Sequence, residues 1–236
     1  MNTNKASAII IGVLFIAATT FYMIGQFIHG PITASSDYLE HVYPDQQTVI
    51  AGVLIELIGI LAIPLIAVYF YPVLRKYSQV MSLGYLVFRS LEALLLLVVS
   101  IYSLSLIHIS KGFLGLTGAN AMSYLEIGAS VQAVSYWTFL LSVGIVFPLT
   151  ALMLNAVLYQ SRLVPRFISV WGLLAAMLLL MGTVVDVFGL LSGISRSALE
   201  VILTIPIAAN EIVLALWLII KGFCPADESA GGAGRG

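Results

Sequence analysis

Residues 49–70 read VIAGVLIELIGILAIPLIAVYF, a run of 22 positions that holds one charge, Glu56. About 20 helical residues cross a hydrocarbon core of about 30 Å, so this run is a transmembrane helix by length and composition. Working outward, five more windows meet the same criterion. The predicted spans lie near 6–28, 49–72, 82–108, 134–158, 168–192 and 199–221. Lipid offers no partner to a backbone N–H or C=O, so each crossing is expected to be a closed helix. The run 94–99 shows none of the alternation of a barrel strand. The predicted fold class is all-α: a polytopic transmembrane helical bundle of six spans over residues 1–223.

Composition agrees. Of 236 residues 61% are hydrophobic and 9% charged, against about a quarter charged in soluble domains. That excludes a water-soluble globule and a disordered chain. Lys+Arg 10 against Asp+Glu 11 leaves no basic footprint for nucleic acid. One cysteine, Cys224, excludes a disulfide framework and a Cys-rich metal site. Lys5, Arg75, Lys76, Arg162, Arg166, Lys221 and Arg235 fall in one set of loops, and only Lys111 and Arg196 in the other. The positive-inside rule then places both termini in the cytoplasm. The first span lacks a small-residue cleavage site after Ile28 and is expected to be retained. Residues 111–132 are too polar to span and too apolar for a plain loop. An outer interfacial helix is the first reading and a re-entrant hairpin the second. Residues 224–236, rich in Gly and Ala, are expected to be a disordered cytoplasmic tail.

A charge near the bilayer centre costs about 2.5–3.5 kcal/mol on insertion scales, so each needs a partner or a purpose. Glu56, Arg89, Glu92, Asp186 and Glu211 qualify, with Asn155 and Asn210 as neutral companions. At helical spacing they fall on stripes with small or polar neighbours. These are Gly52, Glu56 and Gly59; Tyr85, Arg89, Glu92, Leu96, Ser100 and Ser103; Gly144, Pro148, Ala151 and Asn155; Gly182, Asp186, Gly189 and Gly193; and Glu200, Thr204, Ala208 and Glu211. The first span adds Thr19, Tyr22, Gln26 and His29 in register. Small residues let helices approach closely, so all six stripes are expected to face inward. Arg89 has Glu92 at i+3 and Glu211 at a similar depth as candidate partners. Glu56 and Asp186, in the outer half, have no Lys or Arg at hand; a raised pKa, a bound cation or water access are the open readings.

Enzyme signatures are missing. There is no GxSxG elbow, P-loop, dinucleotide fingerprint or CxxCH. His29, His41 and His108 fall at the outer face, but no two share i, i+3 or i, i+4 spacing and HExxH is absent. No metal, cofactor or catalytic residue is therefore predicted.

Several strings resemble a bacterial family of small six-span integral membrane proteins known only as a domain of unknown function. They are Arg89-Ser90-Leu91-Glu92, Ser161-Arg162-Leu163-Val164-Pro165-Arg166, and Pro206-Ile207-Ala208-Ala209-Asn210-Glu211 running into Trp217-Leu218-Ile219-Ile220-Lys221-Gly222-Phe223. The resemblance covers residues 5–223 and implies a protein of the bacterial cytoplasmic membrane without assigning an activity. The residues themselves favour binding or transport of a small solute or cation through Arg89, Glu92, Asn210, Glu211, Glu56, Asp186 and Asn155. Two alternatives stand beside that: a structural or regulatory membrane partner, and a lipid-modifying enzyme. The expected partners are the lipid bilayer and a small solute or cation, with homo-oligomerisation left open.

Overall fold

The computed structural model describes residues 3–190 and 196–224. The expected disorder of the tail beyond Cys224 and the place of Gly193 on its stripe fall outside the described residues. In chain order the helices are α1 (Thr3–Thr33), α2 (Tyr38–His41), α3 (Gln46–Leu74), α4 (Gln79–Phe113) and α5 (Ala119–Phe139). A π-helical segment (Leu140–Val146) follows, then α6 (Phe147–Ser161), α7 (Arg166–Val187) and α8 (Arg196–Ile220). No strand occurs among the described residues. Six helical stretches are long and apolar enough to cross a membrane, so the chain is a multi-pass membrane protein in contact with the bilayer. Its outward residues agree: Leu54, Ile58, Leu61, Leu65 and Val68 form one exposed apolar stripe along α3, a surface that lipid solvates and water would not.

The helices outrun the predicted windows because a helix continues past the hydrocarbon edge as long as its backbone bonds are made. Residues 119–132 are helical and run without a break through the π segment into α6, a single stretch from Ala119 to Ser161. By contrast α7 stops at Val187, short of 192. There Gly189 takes φ 72°, the Leu190 N–H donates to the Val185 carbonyl and the Gly189 N–H to that of Asp186. This is a left-handed glycine cap, which turns the chain out of the helix. Along α4 the hydroxyls of Ser100, Ser103 and Ser105 donate to carbonyls four residues back, so polar side chains sit in an apolar helix without stranded protons.

The chain divides into two compact units. One comprises Leu14–Ile66 and Val87–Phe147, the other Met1–Val13, Ala67–Leu86 and Pro148–Gly236. In the first unit α1 lies directly on α3. A Cβ on Gly25 would stand 2.6 Å from the Gly52 carbonyl oxygen and 2.6 Å from the Glu56 Cβ, so only glycine permits this approach. At one end of this unit Tyr38, Leu39, Val42, Val49, Leu106 and Ile107 form an apolar cluster. Ser110 ties that end together, donating to the Leu39 carbonyl at 2.6 Å and accepting from the Tyr43 N–H at 2.9 Å. Gln132 on α5 donates to the Thr33 carbonyl at the end of α1. In the second unit Phe70 is packed edge-on against Tyr85 and tilted against Phe223, both at 6.1 Å between centroids. The Cys224 N–H donates to the Leu163 carbonyl, fastening the chain after α8 to the turn before α7.

Candidate functional site

The first unit holds two buried polar centres. At the upper one, Glu56 is 0% exposed and lies about 15 Å along α3 from Gln46, at 1.5 Å per residue. Its carboxylate meets three other side chains. The His29 Nε2 is 2.7 Å from Oε2, Gln26 Nε2 donates to Oε1 at 3.3 Å, and the Ser100 hydroxyl lies 3.4 Å from Oε1. That hydroxyl is also 3.3 Å from the Leu96 carbonyl and shares its one proton between the two. His29 is 2% exposed, and its other ring nitrogen, Nδ1, is buried with no hydrogen-bond partner among the described residues.

The local sequence explains this convergence. Gln26 and His29 are three residues apart on α1 and so share a face. The glycines at 25 and 52 remove the side chains that would hold α1 away from α3. An imidazole nitrogen and a carboxylate oxygen at 2.7 Å must have a proton between them. Either group can hold it: imidazolium with carboxylate and neutral imidazole with carboxylic acid carry no net charge, whereas an Nε2–H imidazole beside a carboxylate carries one negative charge.

The lower centre sits eight residues, about 12 Å, down α4 from Ser100. Arg89 Nη1 donates to both carboxylate oxygens of Glu92 at 2.9 Å, and each residue is 4% exposed. The guanidinium carbon lies 5.7 Å from the Phe15 ring centroid and 5.3 Å from that of Phe147, so its faces meet aromatic quadrupoles. Ser142, in the π segment, donates to the Glu92 carbonyl at 3.0 Å. The ion pair closes within one helix, at i, i+3. Leu96, buried between the two centres on α4, carries no polar group.

The remaining sequence candidates lie in the second unit. Asn155 and Asn210 are buried. Asn155 Nδ2 donates to the Ala151 carbonyl on its own helix at 2.9 Å, and Asn210 Nδ2 to the Ile168 carbonyl on α7 at 2.8 Å. Asp186 and Glu211 are half-buried, and Glu211 has an interaction of its own. Among the described residues no group of three or more His, Cys, Asp or Glu is placed to hold a metal ion.

His29, Gln26 and Ser100 stand outside the predicted solute or cation site, and of these His29 makes the closest contact with Glu56. Lying just past the predicted span, it reads as an interfacial histidine. The signal that finds it is its register with Tyr22 and Gln26, set against a lone carboxylate between glycines on the next span.

The family described as "Domain of unknown function (DUF4386)" matches residues 10–222, and the chain belongs to it. No curated protein and no solved structure matches the chain.

Proposed function

For this member of a six-span membrane family, we propose that the Glu56–His29 centre binds and exchanges a proton for a small cation or cationic solute, in the service of transport. The observation that carries the reading is the 2.7 Å contact between two titratable side chains, both out of solvent and on different helices. A fastener between α1 and α3 needs no titratable group, since amide or hydroxyl pairs join membrane helices without the cost of burying a charge. The pair changes by one unit of charge when a proton comes or goes. With a single shared proton it carries one net negative charge in a dry place. A small cation compensates it, with the Glu56 carboxylate and the Ser100 hydroxyl supplying oxygen ligands of the kind that hard cations take, and Gln26 a third once its amide turns its oxygen inward. The Arg89–Glu92 pair, already neutral, sets a fixed field about 12 Å away, and buried Leu96 separates the two levels. Asp186 and Glu211 have no part in this reading.

The same proposal places both termini in the cytoplasm, in the cytoplasmic membrane of a bacterium. Lys5, Arg75, Lys76, Arg162, Arg166 and Lys221 fall in one set of helix ends and connecting turns, and only Lys111 and Arg196 in the other. That distribution fits the positive-inside rule.

The test uses purified chain in vesicles loaded with a pH-sensitive dye, challenged with Na⁺ or K⁺ gradients. A cation gradient should move internal pH in the wild type. Glu56→Gln and His29→Gln, each checked for unchanged helix content and a monodisperse gel-filtration peak, should abolish the response. A wild type that moves no protons under either cation, or folded variants that match it, refutes the proposal.

A further inference from the structure

The end of the second unit at which α6 turns into α7 carries unbalanced positive charge. Arg162 and Arg166 are four residues apart across that turn, and both are exposed. The chain after α8 comes to the same place, since the Cys224 N–H donates to the Leu163 carbonyl at 2.8 Å. Lys221, three residues before that bond, is exposed as well. Gly222 packs on α1, where a Cβ added to it would lie 4.0 Å from that of Ala8, and Phe223 packs on Phe70 of α3. Exposed Lys5, three residues before Ala8, and exposed Arg75 and Lys76, five and six residues after Phe70, therefore belong to this end too. Among the described residues no carboxylate joins them. The nearest along these helices is Glu211, ten residues and about 15 Å up α8 from Lys221.

Two of these residues stand against the local preference of the chain. Arg162 has φ 54°, and among the described residues it is the one non-glycine residue in the left-handed region. It follows α6 at the place that glycine commonly takes, because a Cβ disfavours that conformation. Arg166 opens α7, where the helix dipole favours an anion, and the first turn of α7 holds no acidic residue. Neither choice helps the fold; both suit an anion docked from outside. The Arg166 guanidinium stacks on the Tyr159 ring, 5.2 Å from the centroid, which leaves the N–H groups at its edge free to point away from the ring. Apolar surface adjoins the charge: Phe167 is 61% exposed.

We propose that Arg162, Arg166 and Lys221 form a surface site for an anionic phospholipid, the phosphate held by the two guanidinium groups and the acyl chains lying along Tyr159 and Phe167. A planar guanidinium donates two parallel N–H bonds to a phosphate, which a lone ammonium does not. A zwitterionic headgroup brings its own cation, which three positive side chains oppose. A free phosphate ester uses the charges and leaves Phe167 idle, whereas a lipid uses both. Lys5, Arg75 and Lys76 at the same end add to the field that draws anionic headgroups. Arg162, Arg166, Lys221, Tyr159 and Phe167 are all exposed, so the lipid docks on the surface and needs no space inside the bundle.

The site goes beyond the Glu56–His29 proposal and does not rest on it. The full chain in detergent is titrated with phosphatidylglycerol, with phosphatidylcholine of the same acyl chains and with glycerol 3-phosphate, and the adducts are read by native mass spectrometry. Phosphatidylglycerol should bind the most tightly of the three. Arg166→Gln should weaken it about fivefold, the worth of one basic side chain near an anionic surface. Arg162→Gly separates a binding role from a structural one. Glycine suits a φ of 54°, so the midpoint of an SDS titration should rise while phosphatidylglycerol affinity falls about fivefold. Lys111→Gln, at the opposite set of helix ends, should leave the affinity unchanged. Equal affinity for the two lipids, glycerol 3-phosphate binding as tightly as phosphatidylglycerol, wild-type affinity in both arginine variants, or an equal loss in Lys111→Gln overturns the proposal. Should Arg162→Gly fail to fold, Arg166→Gln alone decides.

Discussion

Replacing Gly25 with alanine separates the geometry of the Glu56–His29 centre from its chemistry, because it adds one methyl group and alters no polar atom. The new Cβ would stand 2.6 Å from the Gly52 carbonyl oxygen and 2.7 Å from the Glu56 nitrogen. Both are backbone atoms and cannot swing aside. Restoring an ordinary contact of 3.4 Å requires α1 and α3 to part by about 0.8 Å. His29 is one turn farther along the same face of α1, so its 2.7 Å contact with Glu56 stretches to about 3.5 Å, the limit of a hydrogen bond. Overpacking of this kind costs about 1–3 kcal/mol, and the weakened charge-assisted bond adds about 1.5–3 kcal/mol. Alanine returns about 1 kcal/mol in helix propensity. The net destabilisation should be about 1.5–5 kcal/mol, read as a lower midpoint in an SDS titration in mixed micelles, together with loss of cation-driven proton movement in vesicles. Gly30→Ala is the control on the same helix. Its Cβ would meet only the Gln26 Oε1 at 3.6 Å, so it should be neutral or slightly stabilising and should leave proton movement intact. If Gly25→Ala unfolds at the wild-type midpoint and still moves protons, contact between these two helices does not set the pair.

The Arg89–Glu92 pair and the Asp37–His41 pair give two further expectations. Arg89→Leu and Glu92→Leu should each cost about 3–5 kcal/mol by stranding a buried charge, and the double variant should cost much less than their sum; additive costs in a double-mutant cycle would show that the pair is not coupled. At Asp37, the hydrogen bond from the His41 Nε2 at 2.8 Å holds the carboxyl below the usual aspartate range. A depressed folded-state pKa means that the contribution is present above the unfolded value and is lost as pH falls through the folded one. A carbon-13 titration should therefore find Asp37 ionised below ordinary aspartates in the wild type and returned to their range in His41→Ala; an ordinary titration in the wild type refutes the assignment.

The six spans were plain from apolar length alone, because a hydrocarbon slab imposes that length on every crossing helix. What decides a helix end is local, and so less visible. The early stop of α7 rests on Gly189 in a left-handed conformation, and the unbroken run from Ala119 depends on α5 ending in a π segment with no mark in its composition. Burial of Glu56, Arg89, Glu92, Asn155 and Asn210 followed the helical stripes, whereas Asp186 and Glu211 on similar stripes are only half-buried. Pairing was harder to read than burial. Arg89 had two candidate carboxylates by depth, and its contact with Glu92 follows from i, i+3 spacing alone, with no second helix needed. Glu56 appeared to lack a cationic neighbour because only the packing of α1 on α3 brings His29 to it. Likewise Lys221 joins Arg162 and Arg166 only once the Cys224 N–H has met the Leu163 carbonyl.

The closure of the Arg89–Glu92 pair inside a single helix bears on how the chain is made. A segment that neutralises its own charges can leave the translocon for the bilayer without waiting for any other segment. Glu56 has no such internal remedy: its histidine lies in an earlier-synthesised segment, so α3 enters lipid as a protonated acid or beside α1 already in place. The two centres thus differ in biogenesis as well as in chemistry, one complete at insertion and the other born only of assembly.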